Sequence, residues 1–232
     1  MQNHFYHINT NKDQQKAIEK INDFLNNDSN IFILKGYAGT GKTTLIKGVV
    51  EFLKSSKKQY NVMAPTGRAA KVLRDKTGAG GTIHSSIYKL QDLKSINPES
   101  EELAEHSVKY FFPINYDIQE ERVLIVDEAS MISSKESKNE LFDFGTNYLL
   151  KDLLSHAFQS NKNNKIIFVG DTAQLPPVGD NQSKALDPSY FQGLGYSCSS
   201  TELTEVMRQD NNLILKNATI IRRLLNEPKS NR

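Results

Sequence analysis

The sequence lacks the features that mark membrane, secreted and fibrous proteins. No apolar run approaches the roughly 20 residues that a membrane helix needs, so a transmembrane reading is excluded. The opening residues, MQNHFYHINTNKD, contain no apolar segment of the kind found in a signal peptide. One cysteine, Cys198, allows no internal disulfide and no cysteine-based zinc site, and the 13 Gly and 7 Pro exclude a collagen-like chain. We therefore expect a cytoplasmic, reduced, globular protein.

An excess of charge of one sign is also missing. The 29 Lys and Arg residues almost balance the 27 Asp and Glu residues, which leaves a formal net charge of +2. A polyanionic partner would therefore need a local basic surface rather than long-range attraction to the whole protein. A candidate surface comprises Lys54, Lys57, Lys58, Arg68, Lys71, Arg74 and Lys76, although the same residues also suit solvated helix and loop faces.

What the sequence does contain is an alternation of short apolar runs and amphipathic stretches, which is typical of a parallel sheet covered by helices. At 232 residues the chain is long enough for one large domain. We predict strands at Ile31–Lys35, Tyr60–Ala64, Arg122–Asp127 and Lys165–Gly170. We predict helices at Asp13–Leu25, Lys42–Lys54, Gly67–Arg74, Glu136–Phe158 and Asn212–Leu225.

The strongest motif is GYAGTGKT, which follows the first predicted strand and opens a helix. It matches the phosphate-binding pattern G-x-x-x-x-G-K-[ST] in the structural context that the pattern requires. Glycines let backbone N–H groups approach a phosphate, and the helix N-terminus adds its dipole. The lysine places a positive charge on the β- and γ-phosphates of a nucleotide, and the threonine hydroxyl ligates Mg²⁺. The predicted ATP-binding residues of this loop are Gly36, Ala38, Gly39, Thr40, Gly41, Lys42, Thr43 and Thr44.

A pair of carboxylates supports this prediction from elsewhere in the chain. Asp127 and Glu128 follow the aliphatic run VLIV, at the carboxyl end of a predicted strand, where α/β sheets bind their ligands. Asp127 is a candidate Mg²⁺ ligand, and Glu128 is a candidate for polarising the water that attacks a γ-phosphate. The fold class is therefore predicted as an α/β P-loop NTPase with a parallel sheet flanked by helices.

Together with motifs elsewhere, these residues resemble the superfamily 1B DNA helicases of the RecD/Dda type, from about Gln14 to Gln209. The segment DQQKAI resembles the adenine-reading Q motif, which implies that Gln14 contacts the base, although Gln15 is adjacent and leaves the register open. The family implies a 5′-to-3′ ATP-dependent DNA helicase, with single-stranded DNA, or alternatively RNA, as its partner.

Two further segments resemble the DNA-contacting motifs of this family. APTGRAAKVL resembles motif Ia, and TIHSSIY resembles the motif that follows it. Hydroxyls, backbone N–H groups and Arg are common phosphate contacts. The DNA-binding residues that the resemblance implies are Pro65, Thr66, Arg68, Thr82, His84 and Ser85.

The most family-specific segment is GDTAQLPPVG, from Gly170 to Gly179. In the family its glutamine, here Gln174, senses the γ-phosphate. LTEVMRQ resembles the motif whose arginine reaches the same phosphate, which implies a catalytic role for Arg208.

The domain organisation is also read from the resemblance. Residues 1–87 and 122–232 are predicted to form the RecA-like ATPase domain 1A, and residues 88–121 a small inserted domain 1B with a β-hairpin. Its aromatic residues are expected mainly to pack the hairpin, with a DNA contact for one of them at most; they are Tyr110, Phe111, Phe112 and Tyr116.

Helicases of this kind need a second RecA-like domain, which we expect C-terminal to this chain because too few residues follow the arginine motif to form one. An arginine finger from that domain is worth on the order of 10³–10⁵ in rate, so we expect this chain to bind nucleotide but hydrolyse little of it. Two alternatives are a nucleotide-gated binding module without significant hydrolysis and another P-loop enzyme, such as a kinase or an AAA+ remodeller. The presence of Lys42, Glu128 and Gln174 argues against the binding module. The QLPPVG setting of Gln174 and the Asp-Glu-Ala-Ser run that begins at Asp127 argue against another P-loop enzyme, so the helicase motor is favoured.

Overall fold

The computed structural model describes residues 1, 5, 10–91, 94–96, 109–117 and 120–207. The described strands are β1 (Ile31–Gly36), β2 (Gln59–Ala64), β3 (Gly81–Thr82), β4 (Lys94–Ile96), β5 (Lys109–Phe112), β6 (Arg122–Val126), β7 (Phe142–Phe144), β8 (Lys165–Gly170) and β9 (Cys198–Leu203). The described helices are α1 (Lys12–Asn26), α2 (Lys42–Ser55), α3 (Gly67–Thr77), α4 (Ile83–Ile87), α5 (Leu149–Ser160) and α6 (Pro188–Gly193).

Six of these strands form one sheet in the order β3-β2-β6-β8-β1-β9, and every neighbouring pair is parallel. This confirms the predicted fold class. The four predicted strands all lie in this sheet, and β8 has the predicted bounds. The predicted helix Asn212–Leu225 lies outside the described residues.

Two apolar layers cover the two faces of the sheet. In β1, Phe32 and Leu34 pack with residues of α1, α2 and α3, whereas Ile31 and Ile33 pack with residues of α4, α5 and α6. This alternation follows from the period of two in a strand. With both faces covered, the strand ends are left as the place where polar groups gather.

The predicted helix Glu136–Phe158 is wrong over its first half. The helix α5 begins only at Leu149, and β7 lies within the segment that precedes it. Gly145 and Asn147 have φ angles of 52° and 63°, in the left-handed region that interrupts a right-handed helix. The side chain of Asn139 accepts hydrogen bonds from the backbone N–H groups of Leu141 and Phe142, which favours a turn over a helix.

A second sheet has the strand order β4-β5-β7. β4 and β5 pair antiparallel within residues 88–121, where the sequence predicts a hairpin, and β7 pairs with β5 from outside this range. The small sheet is therefore not contained in residues 88–121. The ring of Phe112 stacks on that of Phe144 at 4.9 Å between centroids, and Tyr110 stacks on Phe142 at 6.0 Å, so these rings pack the sheet together.

Candidate nucleotide-binding site

The phosphate-binding loop lies where β1 ends and α2 begins, as the sequence predicts. Gly39 and Gly41 have φ angles of 84° and 89°, which residues with a Cβ rarely adopt. Gly41 is the N-cap residue of α2 and its capping position carries no side-chain hydrogen bond, so the backbone N–H groups of the first turn face outward from the helix end. Such a loop is suited to bind an anion.

Lys42 is folded back onto this loop. Its Nζ atom donates hydrogen bonds to the backbone carbonyl oxygens of Gly36 and Tyr37, at 2.7 and 3.0 Å. These contacts hold the ammonium group over the loop. Its positive charge there also lowers the pKa of Asp127. A phosphate bound by the loop would meet a positive charge that is already in position.

Asp127 is buried at the carboxyl end of β6, with an exposed fraction of 9%. Its Oδ1 atom accepts a hydrogen bond of 2.9 Å from the backbone N–H of Glu128. Burial, together with the charge of Glu128, raises the pKa of Asp127 to about 6 against the lowering effect of that hydrogen bond and of Lys42. A cation at this carboxylate would relieve the cost of burying its charge.

Glu128 occupies an unusual backbone conformation, with a φ angle of 52° and a ψ angle of 37°. A non-glycine residue in the left-handed region is uncommon and stores strain, and such residues cluster at functional sites. The backbone of Glu128 is fixed by its N–H bond to Asp127 and by a bond of 3.1 Å from the N–H of Met131 to its carbonyl oxygen. The turn directs the Glu128 side chain to the same cavity as Lys42.

Gln174 links this turn to the loop after β8. Its Nε2 atom donates to Glu128 Oε2 at 3.3 Å, and its Oε1 atom accepts from the hydroxyl of Ser130 at 2.8 Å. Because a carboxylate only accepts, the amide must present its N–H₂ group to Glu128, and the Ser130 hydroxyl must then donate. Ser130 was not predicted as a site residue, although it completes the Asp-Glu-Ala-Ser run that the sequence contains.

A cavity of about 380 Å³ unites these groups. Most of the predicted nucleotide and metal residues lie on it, together with Lys76, Tyr37 and Met207, which sequence reasoning did not assign to a nucleotide. Three of the predicted nucleotide-binding residues do not line the cavity: Gln14, Gly36 and Thr40. The lining residues are Tyr37, Ala38, Gly39, Gly41, Lys42, Thr43, Thr44, Lys76, Asp127, Glu128, Gln174 and Met207.

Gln14, the residue expected to contact adenine, lies beside the phosphate-binding loop. It is buried, with 3% of its surface exposed, and its Nε2 atom donates to the carbonyl oxygen of Thr40 at 2.9 Å. Its Oε1 atom accepts from the backbone N–H of Asn11 at 3.2 Å, as one half of a capping box at the start of α1. Both ends of the amide thus contact the protein's own backbone.

The segment after β9 contacts the phosphate-binding loop directly. The backbone N–H of Met207 donates to the carbonyl oxygen of Gly39 at 3.0 Å. Asp13 fixes the start of this segment, because its Oδ2 atom accepts from the backbone N–H and the hydroxyl of Thr204 at 2.9 and 2.7 Å. These hydrogen bonds hold the pKa of Asp13 below its usual value. The predicted catalytic Arg208 is the next residue and lies outside the described residues.

The six predicted DNA-binding residues gather at the ends of β2 and β3, which are neighbours in the sheet. The hydroxyls of Thr66 and Thr82 accept the N–H groups of Ala69 and Ser85, so both threonines cap helices. Arg68 and Ser85 are exposed. Pro65 is half-buried between these groups and β2.

The side chain of His84 packs against other side chains of the protein rather than facing solvent. Its ring packs edge-on against Phe144 at 5.1 Å between centroids and lies 5.6 Å from the ring of Tyr88. Burial lowers the pKa of His84, which favours the neutral imidazole. The ends of β6 and β8, with Asp127 and Gln174, separate this group from the phosphate-binding loop along the same edge of the sheet.

Comparison with known proteins agrees with the resemblance drawn from the sequence motifs. Residues 9–224 match the model of a family described as an AAA domain. The RecD subunit of the RecBCD enzyme of Buchnera aphidicola subsp. Schizaphis graminum is 30% identical over 208 residues, which cover 83% of this chain and 30% of that protein. The ATP-dependent DNA helicase dda of Enterobacteria phage T4 is 34% identical over 180 residues, which cover 76% of this chain and 34% of that protein. These relatives confirm the resemblance to helicases of the RecD/Dda type.

The fold also resembles a solved structure. The crystal structure of Pif1 helicase from Candida albicans matches with a TM-score of 0.56 and 19% identity, covering 90% of this chain and 43% of that one. At this identity the match concerns the fold alone. The chain spans about a third of the length of the RecD and dda proteins that it matches. No helix within the described residues combines the length and the apolar character that crossing a membrane requires.

Proposed function

The chain belongs to the AAA domain family, and on that premise we propose that it is the N-terminal motor domain of a cytoplasmic ATP-dependent DNA helicase that moves 5′ to 3′. In this proposal residues 1–87 and 122–232 form domain 1A, and residues 88–121 form domain 1B, whose strand β5 pairs with β7 of domain 1A. A second RecA-like domain would complete the motor and close over the nucleotide, and Arg208 would reach the γ-phosphate.

The observation that carries the proposal is the convergence of five side chains on one cavity. Lys42 and Thr43 follow β1, Asp127 and Glu128 follow β6, and Gln174 follows β8, and all five line the same space of about 380 Å³. Parallel strands bring these chain-distant groups to one edge of the sheet, where such folds bind nucleotides. Charge, hydrogen-bond donors and a carboxylate base are thereby all present for phosphoryl transfer to water.

The same groups fit a magnesium ion. Mg²⁺ prefers oxygen ligands and is commonly held by one or two protein groups together with phosphate oxygens and water. The hydroxyl of Thr43 and the buried carboxylate of Asp127 both line the cavity and would supply these oxygens. When bound, the ion would neutralise the negative charge that develops on the phosphate oxygens.

Three residues of the protein have separate roles in the proposed hydrolysis of ATP. Lys42 places a positive charge on the β- and γ-phosphates, in exchange for its bonds to Gly36 and Tyr37. Glu128 accepts the proton of the attacking water as the bond between the γ-phosphorus and the bridging oxygen breaks. Gln174, which contacts Glu128 in this structure, would exchange that contact for the γ-phosphate and so report its presence.

Single-stranded DNA would bind at the ends of β2 and β3. Arg68 and Ser85 are exposed there and offer phosphate contacts, and the N-terminus of α3 presents backbone N–H groups beside them. Thr66 and Thr82 would act mainly by fixing the two helix ends, with Pro65 and His84 supporting the loops. The strand order connects this surface to the nucleotide through Asp127 and Gln174.

The test is ATP hydrolysis and MgATP binding by the 232-residue protein, with and without single-stranded DNA, beside Glu128→Gln. We expect MgATP binding by both proteins, and a hydrolysis rate that Glu128→Gln lowers by about 10²–10⁴-fold because the general base is lost. The matched control is Glu140→Gln, which replaces an exposed glutamate away from the cavity and should leave the rate unchanged. Absence of MgATP binding, or a measurable hydrolysis rate of the native protein that Glu128→Gln leaves unchanged, would contradict the proposal.

A further inference from the structure

Lys76, in the last turn of α3, lines the nucleotide cavity although it lies outside every motif assigned to the nucleotide. We propose that Lys76 contacts the phosphates of the bound nucleotide and is, beside Lys42, a second cationic binding residue of the site. This proposal rests on the proposed function, because it adds one residue to the nucleotide site from which that function is argued.

The first argument is the balance of charge in the cavity. The described lining contains two lysines, Lys42 and Lys76, and two carboxylates, Asp127 and Glu128. ATP is an anion and remains one when it binds Mg²⁺. Without Lys76 the described lining would carry a net negative charge, which repels such a ligand. With Lys76 the lining is neutral, and the loop and the N-terminus of α2 can then favour the anion.

The second argument is that the charge of Lys76 acts at the centre of the site. The positive charges of Lys42 and Lys76 both lower the pKa of Asp127, against the effect of burial. Exposed charges are largely screened beyond about 10 Å. Lys76 is an exposed residue, so its ammonium group must lie near the end of β6 to have this effect. Phosphates bound between the loop and Asp127 would be within its reach.

The third argument is that the end of α3 fixes the point from which the Lys76 side chain extends. Leu73 and Thr77 are buried on either side of it in sequence, and the Thr77 hydroxyl lies 2.9 Å from the carbonyl oxygen of Leu73. Gly78 ends the helix with a φ angle of 74°, and its N–H donates to the carbonyl oxygen of Arg74 at 2.8 Å. A flexible lysine side chain therefore starts from a well-held backbone.

The fourth argument is that the Lys76 ammonium is available to a ligand. Arg74, the other basic residue in the last turn, is already engaged, since its Nε and Nη2 atoms donate to the carbonyl oxygen of Gly80 at 2.9 and 2.7 Å. Within the described part of the chain, no hydrogen bond or ion pair holds Lys76. Lys42 must exchange two hydrogen bonds for the phosphates, whereas Lys76 gives up none.

The experiment measures the dissociation constant of MgATP by isothermal titration calorimetry on the 232-residue protein. In Lys76→Met, which keeps an apolar stem and removes the charge, we expect this constant to rise about tenfold, because a charge-assisted contact with the phosphates is lost. The matched control is Lys47→Met, which removes the same charge from the exposed side of α2, beside Glu51. It should leave the constant unchanged. Thermal unfolding followed by circular dichroism verifies that both variants fold like the unmodified protein.

A double-mutant cycle separates a direct phosphate contact from an indirect effect through Asp127. The constant is also measured for Asp127→Asn alone and for Asp127→Asn combined with Lys76→Met. If Lys76 contacts the phosphates, removing its charge weakens binding in both backgrounds. If Lys76 only offsets the buried carboxylate, its removal has no effect once residue 127 is neutral.

The outcomes are distinct. A rise of about tenfold in Lys76→Met that persists beside Asp127→Asn, with Lys47→Met unchanged, supports the proposal. An unchanged constant in Lys76→Met overturns it, and so does an equal rise in Lys47→Met, which would indicate only the general field of the protein. Equal constants for Asp127→Asn and the double variant overturn it as well. Failure of the unmodified protein to bind MgATP would instead contradict the proposed function.

Discussion

The buried carboxylate of Asp127 shows, at the scale of a single residue, how a binding site costs stability. Its exposed fraction is 9%, and burial raises its pKa to about 6 from an ordinary value of 3.8. Between these two values the folded protein retains a proton that the unfolded chain has released. Folding therefore becomes less favourable as the pH rises through this interval. The hydrogen bond from Glu128 N–H and the charge of Lys42 offset only part of this cost, so a bound cation would relieve more of it.

We predict that Asp127→Asn stabilises the ligand-free protein at pH 8, by roughly 2 to 3 kcal/mol, because the pKa shift of about two units is removed. The gain should shrink toward zero at pH 4, where the native carboxyl group is protonated in the folded protein. Urea denaturation followed by far-ultraviolet circular dichroism at the two pH values measures the difference.

The matched control for this prediction is Asp75→Asn, an exposed position on α3, whose stability should stay close to that of the native protein at both pH values. A gain from Asp127→Asn that grows as the pH falls would contradict the assignment of the cost to the buried charge.

At the scale of secondary-structure elements, a buried hydrogen-bond cluster fixes where the small sheet meets α5. Asp152 is fully buried, and its Oδ2 atom accepts from the hydroxyl of Tyr88 at 2.8 Å and from the N–H of Thr146 at 2.9 Å. Its Oδ1 atom accepts from the Thr146 hydroxyl at 2.6 Å. Burial and the charge of Asp152 raise the pKa of Tyr88, so its hydroxyl remains a donor. One carboxylate thereby joins α5, the end of α4 and the turn after β7.

We predict that Asp152→Ala destabilises the protein by about 3 kcal/mol, because the buried hydroxyl of Tyr88 and the N–H and hydroxyl of Thr146 lose their acceptor. Asp152→Asn should cost less, since its carbonyl oxygen still accepts from Tyr88 and Thr146. The free energy of unfolding in urea is the measured quantity. Lys151→Ala, at the exposed preceding position, should change it by about 0.5 kcal/mol at most, and a loss in Asp152→Ala no larger than this would refute the prediction.

The elements also show why parts of the fold could be predicted and others could not. β8 and the phosphate-binding loop are local signals: six buried residues in a row, and a motif with its strand and helix beside it. β9 was missed because its sequence, CSSTEL, is polar and only Thr201 and Leu203 are buried. The hydrogen bond from Gln14 to Thr40 joins residues that are distant in sequence, and spacing along the chain cannot show such a contact.

At the scale of the whole molecule, the nucleotide site connects distant segments of the chain, so ligand binding should stabilise the domain as a unit. The cavity is lined by residues from Tyr37 to Met207. A ligand that binds only the folded state adds roughly 2.7 kcal/mol at a hundred times its dissociation constant. Most of the chain contributes to that folded state.

We therefore predict that saturating MgATP raises the melting temperature by roughly 5 to 10 °C, given about 2–4 °C per kcal/mol for a domain of this size. Lys42→Ala should abolish most of the shift in melting temperature, because the positive charge that contacts the phosphates is lost. Lys47→Ala, on the exposed side of α2, should retain it. Differential scanning calorimetry measures the melting temperatures, and an equal shift in Lys42→Ala would contradict the prediction.

The position of β1 within the large sheet has a consequence for how the chain acquires its structure over time. β1 is made early, yet its two neighbours are β8 and β9, with Ile31 opposite Ile166 on one side and Cys198 on the other. Contacts between residues so far apart in sequence form slowly, because a long loop must close before any of them is gained. During synthesis on the ribosome, the strand that carries the phosphate-binding loop cannot pair until nearly the whole described chain has emerged. The nucleotide site is thus among the last features of the domain to form.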